Sequence, residues 1–301
     1  MSGSLKGGAF AAYHPLVNFL YFALVIAFSM LLLHPLTLAI SFGGAFVYSC
    51  RLSGRRALRF NLLYLLPLLL LMALMNPLFN HQGLTVLGYF RNGNPLTLES
   101  ILYGLAAAVM LVAVICWFTC YNAVMSSDKF LYLFGRVFPA LSLLFSMALR
   151  FLPRFSQQLS EVRQAQKGLG RNKDTGSLMQ RARFALTLLS ILITWALEHG
   201  VETADSMKSR GYGLPGRSFF SIYRFSTRDK WTFCGLTAIG CFISYGALAG
   251  GLSYRYFPSL KGAGGAFTTV LIAAYTALCV LPLIIEFMEA RKWKVARQPL
   301  P

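Results

Sequence analysis

Phe60-Asn61-Leu62-Leu63-Tyr64-Leu65-Leu66-Pro67-Leu68-Leu69-Leu70-Leu71-Met72-Ala73-Leu74-Met75-Asn76 carries no charged side chain over 17 residues. A helix needs roughly 17–25 mostly apolar residues to cross the hydrocarbon core of a bilayer. Similar runs lie on both sides. Leu16 to Cys50, interrupted at His34-Pro35, reads as two short spans joined by a polar turn. Ile101 to Tyr121, Trp231 to Leu252 and Phe267 to Met288 read as three more. The expected fold is therefore all-α: a polytopic membrane protein with about six transmembrane helices. Composition agrees, with 56% hydrophobic and only 13% charged residues, against about 25% charged in soluble domains.

Charge sets the expected orientation. The net charge is +18, from 28 Lys and Arg against 10 Asp and Glu. Arg51, Arg55, Arg56 and Arg59 follow the second span, whereas Arg91, Arg255 and Lys261 are the only bases in the loops after spans three and five. Positive residues stay on the cytoplasmic side of a membrane. Odd-numbered spans then run outward, both termini lie in the cytoplasm of a cell-membrane protein, and 25 of the 28 bases stay inside. Topology thus accounts for the charge, and no nucleic-acid partner is expected; stacking aromatics do not cluster with the bases.

The chain divides into residues 1–122 with four spans, 123–230, and 231–301 with two spans and a basic tail. From Asn122 to Lys230 there are 16 Lys or Arg and 7 Asp or Glu, without the Gly/Ser or Pro richness of a linker. Two apolar runs in it, Val137–Leu149 and Phe184–Leu197, are too short to span comfortably and are expected in or along the cytoplasmic leaflet. Phe155, Leu159, Val162, Ala165 and Leu169 recur at helical spacing, and Gly168 and Gly170 close that helix. A second helix is expected from Glu198 to Arg210, with Glu198, Glu202 and Asp205 early and Lys208 and Arg210 late, as the helix dipole favours.

Chemistry is sparse. Gly211-x-Gly213-x-x-Gly216 follows a charged helix rather than a buried strand, so it reads as a helix exit and not as a nucleotide site. No phosphate-binding loop and no His-Glu-x-x-His occur. His34 reads as a turn residue, His199 as a surface histidine, and His81 and Glu99 as outer-loop residues, while Glu286 lies near the end of the last span. Cys50, Cys116, Cys120, Cys234, Cys241 and Cys279 form no Cys-x-x-Cys pair and read as reduced thiols. No removable signal peptide, cofactor, metal or catalytic group is expected. Gly246 and Gly250 form a Gly-x-x-x-Gly that suits close helix packing.

Two helix ends stand out: Gln166-Lys167-Gly168 and Ser209-Arg210-Gly211. Each sets a long cation in the last turn of a helix, beside a residue with no side chain to block approach. Such ends suit docking into a groove on an acidic partner.

Ser206-Met207-Lys208-Ser209-Arg210-Gly211-Tyr212-Gly213 closely resembles the second Arg-Gly signature of the transmembrane T component of energy-coupling factor (ECF) transporters. Leu149-Arg150-Phe151-Leu152-Pro153, Glu161 and Gln164-Ala165-Gln166-Lys167-Gly168 resemble the first, and Phe219–Phe225 with Asp229 resembles the stretch that follows the second. The family's usual Ala-Arg-Gly is Gln166-Lys167-Gly168 here, which keeps the charge but loses the guanidinium fork. The resemblance implies a subunit that links two cytoplasmic ABC-type ATPases to one small substrate-binding membrane subunit, in an importer of vitamins or metal ions. It places ATPase docking at the two signatures, supported by Arg150, Pro153, Glu161, Glu202 and Asp205. A self-sufficient secondary transporter is the alternative; its midplane site would need polar groups on broken helices, and Pro67 and Asn76-Pro77 offer a break without charged partners. A membrane enzyme is a weaker one.

Overall fold

His14-Pro15-Leu16 and His34-Pro35-Leu36 start the first two long helices in the same way. Proline suits the first helical position, where its missing N–H costs nothing. In both cases the histidine Nδ1 accepts the N–H two residues on, from Leu16 and from Leu36, at 3.3 Å. The computed structural model describes residues 8–89, 93–135, 139–170, 177–212, 214 and 223–296. Within them run α1 (Pro15–Leu31), α2 (Pro35–Phe60), α3 (Leu66–Phe79), α4 (Leu98–Val124), α5 (Ser127–Gly135), α6 (Pro139–Gly168), α7 (Leu178–Ser209), α8 (Thr227–Leu248) and α9 (Ala266–Ala296). Two small antiparallel hairpins accompany them, β1 (Val86–Tyr89) with β2 (Pro95–Thr97) and β3 (Tyr254–Arg255) with β4 (Lys261–Gly262). The protein is an all-α, multi-pass membrane protein.

Five helices are long and apolar enough to cross a membrane, and α1, with 17 residues, is a shorter apolar helix. One of the five, Pro35–Phe79, holds two of the expected spans, because the chain doubles back within it. Gly54 takes φ 55° and ψ −133°, which no helix interior allows. Ala45 accepts the Cys120 thiol at 3.8 Å, and Asn61 lies 4.0 Å from the Cys116 sulfur. A straight helix would separate Ala45 and Asn61 by about 24 Å, yet they meet residues one turn apart on α4. The four arginines at 51–59 therefore sit around a reversal.

The other departure concerns α6 and α7. Each apolar run expected to stand alone continues into the polar helix after it. Val137–Leu149 and Phe155–Gly170 belong largely to the 30-residue α6, although residues 136–138 lie outside the described set. Phe184–Leu197 and Glu198–Ser209 belong to the 32-residue α7, and Arg210, expected as the last residue of the second helix, is its cap. The uncharged run in α7 is short, but good helix formers on both sides lengthen it, and α7 is one of the five membrane-length helices.

The chain forms two compact units, residues 1–130 with 223–301, and residues 131–222. In the first unit, paired contacts give the directions of the long helices. Leu24 of α1 meets Gly240 of α8, and His14 meets Asp229, so these two run parallel. Gly44 and Arg51 of α2 meet Cys279 and Glu286 of α9, also parallel. Asn76 of α3 meets Gly104 of α4, against the Asn61–Cys116 contact, so these are antiparallel. Thus α1, α3 and α8 run one way, and α2, α4 and α9 the other. One end gathers Arg51, Arg55, Arg56, Arg59, Lys129, Arg224, Arg228, Lys230, Arg291 and Lys292. The opposite end carries both hairpins, with Arg255 and Lys261 its only described bases.

Trp117 sits at the centre, fully buried, with the rings of Tyr21, Phe22 and Tyr48 between 6.1 and 6.5 Å away. Its indole N–H donates to Ser41 Oγ at 3.0 Å; Ser41 and Ser29 hydroxyls pair at 2.6 Å, and Ser29 meets the Tyr275 hydroxyl at 3.1 Å. This chain of bonds ties α1, α2, α4 and α9 through buried side chains and pairs the Trp117, Ser41, Ser29 and Tyr275 polar groups with one another.

Gly246 and Gly250 serve two different purposes. A Cβ on Gly246 would collide with Leu271 of α9, so this glycine allows α8 and α9 to close on each other. Gly250 lies beyond the end of α8 at φ +80°, in the left-handed turn that terminates it.

Candidate partner-docking site on the second unit

In the second unit α6 and α7 pack through an edge-on contact of Phe155 with Trp195, ring centroids 5.6 Å apart, with Leu188 and Leu192 buried. Trp195 also stacks edge-on against His199, whose Nδ1 meets Glu202 Oε2 at 2.9 Å. His199 is thus a paired residue on the helix surface. From the Phe155–Trp195 contact each helix runs on for about 20 Å at 1.5 Å per residue to its basic tip.

The tip of α7 is a complete Schellman turn. Arg210 occupies the cap, Gly211 follows at φ +79°, the Gly211 N–H bonds the Lys208 carbonyl and the Tyr212 N–H bonds the Met207 carbonyl, both at 3.0 Å. The chain breaks helical geometry directly after the cation, and Arg210 stands exposed.

The tip of α6 differs in register. Gly168 is still helical, and the left-handed residue is Gly170 at φ +70°, whose N–H reaches the Lys167 carbonyl at 3.0 Å. Lys167 stands three residues before its left-handed glycine and Arg210 one, so Lys167 lies two residues deeper in its helix. A Cβ added at Gly168 would meet nothing within 4 Å, so the fold itself does not require glycine there.

Lys167, Gly168, Ser209 and Arg210 are exposed, Gln166 and Gly211 half-buried. Arg150, Glu161, Glu202 and Asp205 are exposed along the same two helices, as is Pro153, which sits inside α6 and removes one backbone donor. The apolar stripe of α6 is open too, with Phe155, Leu159 and Leu169 exposed. Gly213, Pro215, Gly216 and Phe219–Ile222 lie outside the described residues.

Among the described residues no group of three or more His, Cys, Asp or Glu could hold a metal ion. The described thiols are free; Cys116, Cys120 and Cys279 are buried. Glu286 is buried beside Gly8, with Arg51 Nε at 3.9 Å.

Some supporting residues gave no clear signal in the sequence. Glu99 is not a loop residue: it lies buried in the first turn of α4 and accepts the Thr85 N–H at 3.2 Å and the Thr85 hydroxyl at 2.8 Å. Gly83 passes so close that a Cβ would stand 2.6 Å from Glu99 Oε2. Lys129 and Asp229 are likewise buried. Ser226-x-x-Asp229 is a capping box, a spacing legible in advance.

The sequence profile of the cobalt transport protein family CbiQ matches residues 13–219. This chain belongs to that family. The match takes in both basic helix ends. Curated relatives agree with the resemblance to ECF T components. The energy-coupling factor transporter transmembrane protein EcfT of Exiguobacterium sibiricum is 30% identical over 106 residues, 35% of this chain and 40% of that protein. The EcfT proteins of Streptococcus thermophilus and Leuconostoc gelidum are 27% identical over 106 residues and 31% over 97. These cover 35% and 32% of this chain, and 40% and 36% of the relatives. The chain thus aligns with about two fifths of the length of the relatives it matches. Over that stretch it is similar to the transmembrane components of ECF transporters.

Proposed function

We propose that this CbiQ-family chain is the coupling subunit of an ATP-driven ECF-type importer of a micronutrient, a vitamin or a metal ion. Two cytoplasmic ABC-type ATPases dock on the tips of α6 and α7, through Gln166-Lys167-Gly168 and Ser209-Arg210-Gly211. Arg150, Pro153, Glu161, Glu202 and Asp205 shape the arms behind those tips. One small membrane subunit binds the substrate. The chain itself performs no chemistry and couples through motion of its helices.

The observation that carries this reading is the pair of exposed basic helix ends, each closed by a left-handed glycine. A guanidinium or ammonium beside the free carbonyls of a helix end is favoured by the helix dipole and projects past the last turn. The open apolar stripe of α6 supports a helix-in-groove contact. The excess of bases at one end of the first unit supports placing that end, and both termini, on the cytoplasmic side of the cell membrane.

Affinity purification of the tagged chain in mild detergent tests the assembly. Two ATPase subunits and one small membrane protein are expected to accompany it. Recovery of the chain alone from cells that express such subunits would contradict the proposal.

A further inference from the structure

The chain leaves the first unit after Phe130 and returns at Tyr223. One short stretch, Gly8–His14, holds both crossings. It is rooted by Phe10, fully buried against Tyr21 at 5.1 Å and Phe22 at 6.3 Å. On the leaving side the buried Lys129 ammonium donates to the Ala11 carbonyl at 2.6 Å and to the Val124 carbonyl, in the last turn of α4, at 3.0 Å. On the returning side the His14 N–H donates to Asp229 Oδ1 at 3.4 Å, and the His14 ring meets Phe225 at 4.7 Å and Tyr223 at 6.5 Å. The Arg228 guanidinium lies 4.1 Å over the Tyr13 ring and 3.7 Å from Glu289 of α9.

A lysine buried against two carbonyls is costly to place, and burial holds its pKa below the ordinary lysine value. A helix C-cap alone would need only the Val124 contact; the Ala11 contact spans 118 residues of sequence. We propose that Gly8–His14 is a clasp, with Lys129 as a positioning residue, that ties both connections of the 131–222 unit to α1 and α9, so that displacement of that unit moves the bundle instead of flexing the connections. This inference rests on the coupling role proposed above.

The test uses the assembled transporter in liposomes, with ATP hydrolysis and substrate uptake measured in the same vesicles. Lys129→Met is expected to keep hydrolysis near the parent rate and to lower uptake per ATP about tenfold; Lys129→Arg restores most of it. Unchanged uptake per ATP, or hydrolysis and uptake falling together, overturns the clasp. Should Lys129→Met not assemble, Tyr13→Leu, which removes the ring beneath Arg228, is read in the same way. Hydrogen exchange of the full chain in detergent gives an independent answer. Lys129→Met should loosen residues 10–14 and 223–229 together, and loosening confined to 10–14 overturns the proposal. A parent complex that never transports would refute the coupling role, while the exchange result still decides the clasp.

Discussion

The Tyr212 amide reaches back to the Met207 carbonyl at 3.0 Å and closes the last turn of α7 around Gly211. Gly211 holds φ +79°, and a side chain in that conformation costs about 1–2 kcal/mol. Gly211→Ala is therefore expected to fray the tip and reduce ATPase recovery in co-purification. Gly168→Ala is expected to leave thermal stability unchanged or raise it by about 0.5–1 kcal/mol, because Gly168 is helical with open space around it. Loss of ATPase recovery in Gly168→Ala at full stability would place a partner surface against that glycine.

Lys167 and Arg210 are not equivalent. Arg210 carries a planar fork of donors at the cap; Lys167 carries a single ammonium deeper in its helix. Arg210→Lys is expected to weaken ATPase binding about fivefold, and Lys167→Arg to strengthen it or leave it unchanged, since a bidentate pair with a carboxylate adds geometry as well as energy. Titration of the purified subunits checks both. Tighter binding by Arg210→Lys would contradict the assignment.

Much of this arrangement was legible beforehand, because lipid imposes simple rules. Uncharged runs marked the membrane helices except α7, whose run reads as too short to cross, and the bases around Gly54 marked a turn. The basic tips followed from glycines after cations. The joining of Val137–Leu149 to the helix after it was hidden, because a change from apolar to polar composition looks like a boundary while the backbone continues unbroken. The glycine that ends α6 was ambiguous between Gly168 and Gly170, since only backbone geometry separates them. Lys129 and Glu99 are lone charges whose carbonyl, amide and hydroxyl partners leave no sequence pattern.

His14 and His34 are expected to make stability depend on pH. Burial holds both pKa values below the ordinary 6.5, although Asp229 acts in the opposite sense on His14. Each Nδ1 must stay unprotonated to accept its Leu N–H. The unfolded chain then binds protons more readily than the folded one, so stability is level above about pH 6.5 and falls as pH drops below it. Thermal unfolding in detergent from pH 8 to 5 should show this, and His14→Asn with His34→Asn, which cap without titrating, should flatten it. An unaltered profile in the double variant would exclude these caps as its source.

Gly246 sets how closely α8 approaches α9. Gly246→Val forces a branched side chain into Leu271 and should destabilise the bundle by about 1–3 kcal/mol, whereas Gly250→Val, beyond the helix end, should strain only its turn. Thermal unfolding of the two variants separates packing from capping; equal losses with a repacked Leu271 would contradict the close approach.

The central claim concerns two basic tips gripping motors that lie outside this chain. Uptake by liposomes that hold the assembled transporter, made with parent chain or with Lys167→Ala and Arg210→Ala together, tests it most directly. The account predicts that the double variant folds with the parent's thermal stability, loses its ATPases and takes up no substrate on addition of ATP. Normal ATP-driven uptake by the double variant, or uptake by the parent chain alone without ATPases, would contradict it.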